Sequence, residues 1–270
     1  MENKLKKYYM FEGIIVGLFF EDFTHYKKII RLFDSFSNFI IETNEVDSCN
    51  NFLHIYQNKI VCSIRNKCYK VKFETSDIYV IIYAFIYSLI NQHEYFGIHS
   101  VLVEKNNECV LLLGNFGAGK TTLSIELEKY GWKILSGDQT FIKFENNSIR
   151  FCFGTNVMAL NGNDILIHKT GNSKKIVRHI IVIKGLAEGA RSTINCFWKY
   201  EYAIRELWKY MLWPWNTLLI GQMKNYNFYL KPYSKKLECY LNTEANININ
   251  TYTIRGDPSQ IANLINFYLG

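Results

Sequence analysis

A glycine-rich stretch that ends in a lysine and two threonines carries the clearest chemical signal in this chain. Residues 110–122 read VLLLGNFGAGKTT and fit the pattern G-x-x-x-x-G-K-[ST]. In such a stretch glycines let successive backbone N–H groups face phosphate oxygens, and the start of the following helix adds partial positive charge. Lys120 would reach the β- and γ-phosphates, and the Thr121 hydroxyl would bind Mg²⁺. The nucleotide contacts expected from this pattern are Gly114, Asn115, Phe116, Gly117, Ala118, Gly119, Lys120, Thr121 and Thr122.

The residues on either side predict the elements that must position this stretch. The apolar run Cys109–Leu113 indicates a buried strand, and Ser100–Glu104 indicates its hairpin partner. Leu123 and Leu127 share one face of a helix predicted over Thr121–Tyr130. A strand, a loop and a helix in this order distinguish a nucleotide site from a chance match to a short pattern.

An acidic residue comes shortly after the helix, at the end of the next predicted strand. Trp132–Leu135 indicates the next strand, and Asp138 comes shortly after it. An acidic residue at the end of a neighbouring strand usually completes the Mg²⁺ shell of a phosphate loop. We therefore expect Asp138 to lie near Lys120 and to contact the metal or the acceptor hydroxyl. His99, taken alone, is more typical of a structural hydrogen-bonding residue.

Composition predicts a folded body with a sizeable core. The chain has 270 residues, of which 49% are hydrophobic and 16% aromatic, and its three prolines mark no linker. Residues 1–95 read as a β-rich extension that ends in a buried helix over Asp77–Gln92. Residues 96–270 read as the nucleotide-binding domain.

Two elements are predicted further along this domain. Phe141–Phe144 and Ile149–Phe153 alternate around Glu145-Asn146-Asn147-Ser148, which indicates a second hairpin. Pro258–Leu269 indicates a terminal helix with Asp257 as its N-cap.

Charge and cysteine content argue against several classes of protein. The formal net charge of +7 is spread over short clusters, which favours solvated faces, with an acidic peptide or protein partner as the sharper alternative. The seven cysteines are dispersed without C-x-x-C spacing, which is typical of a reducing compartment rather than of a disulfide framework or zinc site. Ile78–Ile90 is too short to span a bilayer, and no cleavage site follows the apolar N-terminal stretch. We expect a cytoplasmic protein.

Segments 97–103, 110–122 and 131–138 together resemble the core of the HPr kinase/phosphorylase-like family. In that family a histidine precedes a hairpin, the phosphate loop follows, and a strand ending in an Asp pair comes after the loop helix. The resemblance is specific over 96–145 and diffuse over 146–270, where Arg255-Gly256-Asp257-Pro258 resembles a closing element of shorter members. The likeness is greater to small stand-alone members, including kinases that phosphorylate ribosomal precursor peptides, than to the full bifunctional enzyme.

The resemblance implies roles for individual residues. His99 matches the family histidine near the phosphates, and Asp138 matches the second carboxylate of the pair that activates the acceptor hydroxyl. Gly137 stands where the first carboxylate would be. Three interpretations remain: Asp138 serves metal and acceptor alone, the acceptor is already ionised, or the protein binds or hydrolyses nucleotide without transfer. On this alignment, Gly137→Asp should preserve or raise transfer.

The sequence therefore predicts an α/β protein with a P-loop core of the HPr kinase/phosphoenolpyruvate carboxykinase-like type, a mixed sheet and a β-rich N-terminal extension. The expected function is Mg²⁺-dependent transfer of a phosphoryl group from ATP or GTP to a Ser or Thr hydroxyl of a peptide or protein. Catalytic roles are expected for Asp138, His99 and Lys120, and metal binding for Thr121 and Asp138. The alternatives are a nucleotide-binding or regulatory protein without transfer, and a small-molecule kinase. Nucleic acid and membrane are not expected partners, and the resemblance is compatible with a homo-oligomer.

Overall fold

The computed structural model describes residues 5–11, 14–21, 23–36, 41–43, 49–64, 66–72, 78–160, 163–166, 175–197, 200–212, 214, 235, 238, 247 and 249–270. The chain divides into two compact units, Met1–Gln92 with Pro214–Pro232 and His93–Trp213 with Tyr233–Gly270. The domain boundary placed after residue 95 from sequence stays a prediction. The two units are described separately.

The first unit is built on a mixed sheet in which the strand order is β3-β1-β2-β4-β5-β6. Strands β2 and β4 are parallel, and the other neighbours are antiparallel. The described elements in chain order are β1 (Leu5–Phe11), β2 (Ile14–Phe20), α1 (Tyr26–Asp34), β3 (Ile41–Thr43), β4 (Asn51–Ile55), β5 (Lys59–Ile64), β6 (Lys67–Lys72) and α2 (Ile78–Ile90).

Helix α1 was not expected within the β-rich N-terminal region. Ile29, Leu32 and Phe33 are buried at helical spacing, and the Phe33 ring packs 5.0 Å from the ring of Tyr9 in β1. The helix therefore covers one face of the sheet, because its apolar residues recur at i, i+3 and i+4. The buried helix expected over Asp77–Gln92 is observed as α2, followed by a short 3₁₀ turn over Asn91–His93. Asp77 lies outside the described residues.

The second unit contains the predicted nucleotide-binding segments. Its described elements in chain order are β7 (Phe96–Lys105), β8 (Glu108–Gly114), α3 (Lys120–Glu128), β9 (Lys133–Ser136), β10 (Gln139–Glu145), β11 (Ser148–Gly154), β12 (Val157–Leu160), β13 (Asn163–Leu166), β14 (Ile176–Leu186), β15 (Thr193–Phe197), α4 (Tyr200–Met211), β16 (Asn250–Gly256) and α5 (Pro258–Leu269). The structure is thus of mixed α/β type.

The main sheet of this unit is mixed, as expected. Its strand order is β11-β10-β7-β8-β14-β16-β15, with β9 also paired to β7. Strands β8, β14 and β16 are parallel, with Gly114 opposite Ile183 and Leu186 opposite Gly256. The carboxyl ends of these three strands therefore meet at one edge of the sheet, where ligands of α/β proteins commonly bind.

Two Asn-Asn turns close the predicted hairpins. Asn106 and Asn107 join β7 to β8, and Asn146 and Asn147 join β10 to β11. All four residues have positive φ angles, which asparagine tolerates better than most residues. Both hairpins are confirmed. The first one delivers the chain into the central strand β8.

Helices α3 and α5 pack on a common apolar cluster of the sheet. This cluster contains Val101, Val110, Leu112, Leu123, Leu127, Ile181, Ile183, Ile254, Ile261 and Ile265. Helix α4 lies against β7, β8 and β16. Among the helices that the structure describes, none combines the length and apolarity needed to cross a membrane.

The segment Arg255–Pro258 fastens the start of α5 to the carboxyl edge of the sheet. Asp257 is the predicted N-cap, and its side chain accepts hydrogen bonds from the N–H groups of Ser259, Gln260 and Gly189. The Ser259 hydroxyl also donates to this carboxylate, and its bond, together with those of the N–H groups, lowers the pKa of Asp257 to about 2. A Cβ on Gly256 would lie 2.4 Å from Cα of Ser192. This closing element therefore has a structural role that its residue types explain.

Candidate functional site

Strand β8 leads into the glycine loop, which we define as residues 114–119, and α3 begins directly after it. Gly117 and Gly119 have φ angles of 76° and 96°, a region that residues with a Cβ rarely adopt. A Cβ on Gly119 would also lie 2.9 Å from Cδ1 of Leu186 in β14. The backbone path of the loop therefore requires glycine at these two positions.

The first turn of α3 is open at its N-terminus. Gly119 is the N-cap, and within the described structure no side chain caps this helix start. The uncapped N–H groups and the helix dipole give this end a partial positive charge. Asn115 and Gly117 are exposed, and Phe116 at the loop tip is 87% exposed, whereas Ala118 is half-buried. The loop thus presents polar backbone to solvent beside a positive helix end.

The Lys120 side chain folds back over the glycine loop. Its ammonium nitrogen donates to the carbonyl oxygens of Gly114 at 2.9 Å and Asn115 at 3.3 Å. The third contact is with Nε2 of His99 at 3.0 Å. An ammonium has three donors, so these contacts use all of them, and only 6% of Lys120 is exposed.

Burial controls the protonation of Lys120 and His99. It lowers the pKa of Lys120 to about 8, and the negative charge of Asp138 offsets part of that effect. Burial, and then the positive charge of Lys120, hold the pKa of His99 well below its usual value. At neutral pH Lys120 is therefore a cation and His99 a neutral imidazole. Its Nε2 accepts the hydrogen bond from Lys120, because an ammonium has no acceptor.

The lowered pKa predicts how binding of the expected triphosphate would depend on pH. Below about pH 8 Lys120 is charged in the free protein, and above it the charge is lost unless a bound anion restores it. We expect the affinity for ATP with Mg²⁺ to be about tenfold weaker at pH 9 than at pH 7. Calorimetry in buffers of different ionisation enthalpy should show uptake of about one proton on binding at pH 9. Equal affinity at both pH values would contradict this assignment of the charge.

The turn between β9 and β10, which carries Asp138, is held by the connection between β11 and β12. The N–H of Gly137 donates to the carbonyl of Thr155 at 2.7 Å, and the N–H of Asp138 donates to the carbonyl of Val157 at 3.3 Å. The Thr155 hydroxyl accepts from the N–H of Gln139 at 3.1 Å, and the N–H of Thr155 returns a bond to the Gln139 carbonyl at 2.9 Å. The turn is therefore fixed on both sides of Asp138.

Asp138 lies beside the lysine and the histidine, as expected from the sequence. Its side chain is half-buried, and its charge acts on the ammonium of Lys120. Its backbone carbonyl accepts from the N–H of Ser100 at 3.3 Å and forms a hydrogen bond with the His99 ring. The structure thus gathers a cation, a neutral imidazole and a carboxylate at the start of α3.

Gly137 has no room for a side chain, and this argues against the expectation that Gly137→Asp preserves or raises transfer. A Cβ at this position would lie 2.0 Å from the carbonyl oxygen of Val157 and 2.9 Å from Cγ of Met158. The first contact is with backbone, which cannot swing away as a flexible side chain does. The adjacent carboxylate pair of the resembling family cannot be rebuilt here without moving the β11–β12 connection.

The two threonines of the motif lie in the first turn of α3. Thr121 is half-buried and Thr122 is exposed, and the hydroxyl of Ser124 donates to the Thr121 carbonyl at 2.8 Å. Within the described residues no group of three or more His, Cys, Asp or Glu side chains could hold a metal ion. Mg²⁺ commonly uses one or two protein oxygens together with substrate phosphates. Thr121 and Asp138 supply hard oxygen donors of the kind that fit such a partial shell.

Sequence reasoning missed two buried residues of this site. Thr155 anchors the turn that carries Asp138, and Gln139 places its side-chain nitrogen 3.3 Å from Nδ1 of His99. Gln139 lies opposite His99 in the pairing of β10 with β7. Its position directly after Asp138 could have indicated a role in the site. The sequence does not reveal the strand register that places it opposite His99.

The chain has a distant structural similarity to a known protein. No protein-family model matches this chain, and no curated protein does. The solved structure of the Hpr(Ser) kinase/phosphatase from Coxiella burnetii is similar to it, with 14% sequence identity and a TM-score of 0.34. That similarity covers 63% of this chain and 91% of the Coxiella burnetii chain. It is a distant likeness of fold, and any functional proposal depends on the site itself.

Proposed function

We propose that this protein is a Mg²⁺-dependent phosphotransferase that moves the γ-phosphoryl group of ATP or GTP to a hydroxyl of a peptide or protein. The observation that supports this most strongly is the position of Lys120. Its buried ammonium spans two carbonyls of the glycine loop and Nε2 of His99, under the influence of the Asp138 charge. A strand end, an uncapped helix start and a lysine in this arrangement suit the phosphates of a nucleotide.

The glycine loop and Lys120 would bind the phosphates. Backbone N–H groups between Gly114 and Thr121 can donate to phosphate oxygens, and Lys120 can exchange one of its three neutral acceptors for an anionic oxygen. A charge-assisted hydrogen bond is roughly twice as strong as a neutral one. This exchange therefore favours the triphosphate over the resting contacts of the lysine.

Thr121 and Asp138 are the residues that would hold Mg²⁺. When bound, the ion neutralises charge on the transferred phosphoryl group. Asp138 would also orient the acceptor hydroxyl. In the transfer the bond from Pγ to the β–γ bridging oxygen breaks, a bond from the acceptor oxygen to Pγ forms, and the hydroxyl proton passes to the Asp138 carboxylate. One carboxylate is sufficient, because the transition state is loose and depends more on position and charge than on a strong base.

A peptide or protein acceptor is favoured by two features. The sequence resembles small HPr kinase-like members that modify precursor peptides, and the short basic clusters behind the formal net charge of +7, besides forming solvated faces, would attract an acidic partner. The resemblance suggests a Ser or Thr hydroxyl as the acceptor group.

The test is transfer of labelled γ-phosphate from ATP to a panel of Ser- and Thr-containing peptides with Mg²⁺ present. We expect Asp138→Asn to lower transfer by on the order of 10²–10⁴-fold while binding of ATP remains measurable. Glu128→Gln, an exposed carboxylate change on α3, is the matched control and should leave both unchanged. Transfer that persists in Asp138→Asn would contradict the role of this carboxylate.

One observation favours a second function. Gly137 replaces one carboxylate of the family pair and has no space for a side chain, which suits a protein that binds nucleotide without transferring phosphate. Such a protein would bind ATP with Mg²⁺, and no peptide or small-molecule acceptor would stimulate turnover. Calorimetry and the transfer assay together distinguish these two functions.

A further inference from the structure

His99 and Gln139 form a buried cross-strand pair next to the glycine loop. They lie directly opposite each other in β7 and β10, where paired side chains come within about 4.5–5.5 Å at Cβ. Gln139 is only 1% exposed and His99 5% exposed, and the side-chain amide nitrogen lies 3.3 Å from Nδ1 of the ring. The two ring nitrogens of His99 thus face two different partners, Lys120 at Nε2 and Gln139 at Nδ1.

Lys120 favours one tautomer of the neutral His99 ring. An ammonium can only donate, so Nε2 of His99, 3.0 Å from the lysine nitrogen, must offer its lone pair. The proton of the neutral ring is then on Nδ1, which needs an acceptor. The Gln139 side chain is such an acceptor when its oxygen faces the ring, since the two ends of an amide are distinguished only by their hydrogen bonds.

We propose that Gln139 is a positioning residue that holds His99 in the Nδ1–H tautomer, so that the Nε2 lone pair faces the phosphate site. This inference rests on the proposed phosphotransferase function for its catalytic consequence. When Lys120 exchanges a loop carbonyl for a phosphate oxygen, the Nε2 lone pair of His99 can continue to accept from the ammonium and orient it toward the transferred phosphoryl group. The opposite tautomer would direct an N–H at the lysine and lose this interaction.

The first test reads the tautomer without any activity measurement. In protein labelled with ¹⁵N-histidine, long-range ¹H–¹⁵N correlation spectra distinguish a protonated ring nitrogen from an unprotonated one. We expect wild-type His99 to be neutral with the proton on Nδ1 at pH 7. Gln139→Met, which keeps the length and removes the amide, should shift His99 toward a mixture of tautomers. Gln139→Glu should keep the Nδ1–H form, because a carboxylate can only accept.

The second test measures the catalytic consequence. We expect Gln139→Met to lower kcat for phosphoryl transfer on the order of 10–100-fold, as loss of an orienting partner does elsewhere, with a much smaller change in KM for ATP. Gln139→Glu should restore most of kcat. Gln260→Met on α5, where the glutamine is exposed, is the matched control and should change neither quantity.

The two tests separate this inference from the proposed function. A wild-type spectrum with the proton on Nε2, or a Gln139→Met spectrum identical to wild type, overturns the positioning role. Equal loss of kcat in the methionine and glutamate variants overturns it as well. If no acceptor is ever phosphorylated, the proposed transfer fails, while the tautomer measurement still decides the role of Gln139.

Discussion

Lys120→Met is expected to weaken binding of ATP with Mg²⁺ by at least about 100-fold. A hydrogen bond to a charged group contributes roughly 1.5–3 kcal/mol, and this ammonium would contact more than one phosphate oxygen. Methionine keeps most of the volume of the buried side chain, so loss of binding would reflect loss of the charge and donors. The measurement is isothermal titration calorimetry at pH 7, where the pKa of about 8 leaves Lys120 charged.

Lys129→Met is the control for this change. Lys129 follows α3, its side chain is 63% exposed, and its partner is Glu126 three residues earlier. Removing it takes away the same charge from the same helix without touching the glycine loop. We expect wild-type affinity in this variant. Wild-type affinity in Lys120→Met, in protein with an unchanged far-UV circular dichroism spectrum, would instead exclude the glycine loop as the nucleotide site.

Local sequence patterns predicted the elements that carry the loop. The apolar run before Gly114 and the paired leucines after Lys120 each decide the structure of a few neighbouring residues, so β8 and α3 followed from composition and spacing. The same holds for the hairpins, because Asn-Asn pairs tolerate the positive φ angles of their turns, and for the N-cap at Asp257.

Contacts between distant segments could not be predicted in this way. Gln139 faces His99 because β10 pairs with β7 in one register, and a shift of one residue would turn its side chain to the other face. Thr155 holds the Asp138 turn only because β11 returns beside it. Helix α1 is different, since its apolar spacing was present in the sequence but stood within a region of strand-like alternation.

The surroundings of Gly137 show how such a contact changes a functional expectation. From the sequence, the glycine reads as a missing carboxylate that could be restored. In the structure it is the point where the turn before Asp138 passes the backbone of Val157. Gly154 makes a second close approach in the same place, since a Cβ there would lie 2.1 Å from Cβ of Ser136. The two segments can pair this closely only because both positions are glycine.

Gly137→Ala and Gly137→Asp are both expected to destabilise the protein by roughly 3 kcal/mol or more. The added Cβ would lie 2.0 Å from a backbone oxygen, so the two hydrogen bonds that fix the turn must lengthen or break. Asp138 would then move relative to Lys120, and transfer should fall with stability. Urea unfolding gives the change in free energy, and the labelled-phosphate assay gives the change in rate.

Gly131→Ala distinguishes this clash from the general cost of replacing a glycine. Gly131 has a φ angle of 83°, but a Cβ added there would have no neighbouring atom within 4 Å, so only backbone strain of about 1 kcal/mol is expected. If Gly137→Ala lowers the free energy of unfolding more than Gly131→Ala does, the difference is due to the contact with Val157. If Gly137→Asp is instead as stable as wild type and transfers phosphate faster, the β11–β12 connection must shift to make room for the side chain. This chain could then hold two adjacent carboxylates, as the family it resembles does.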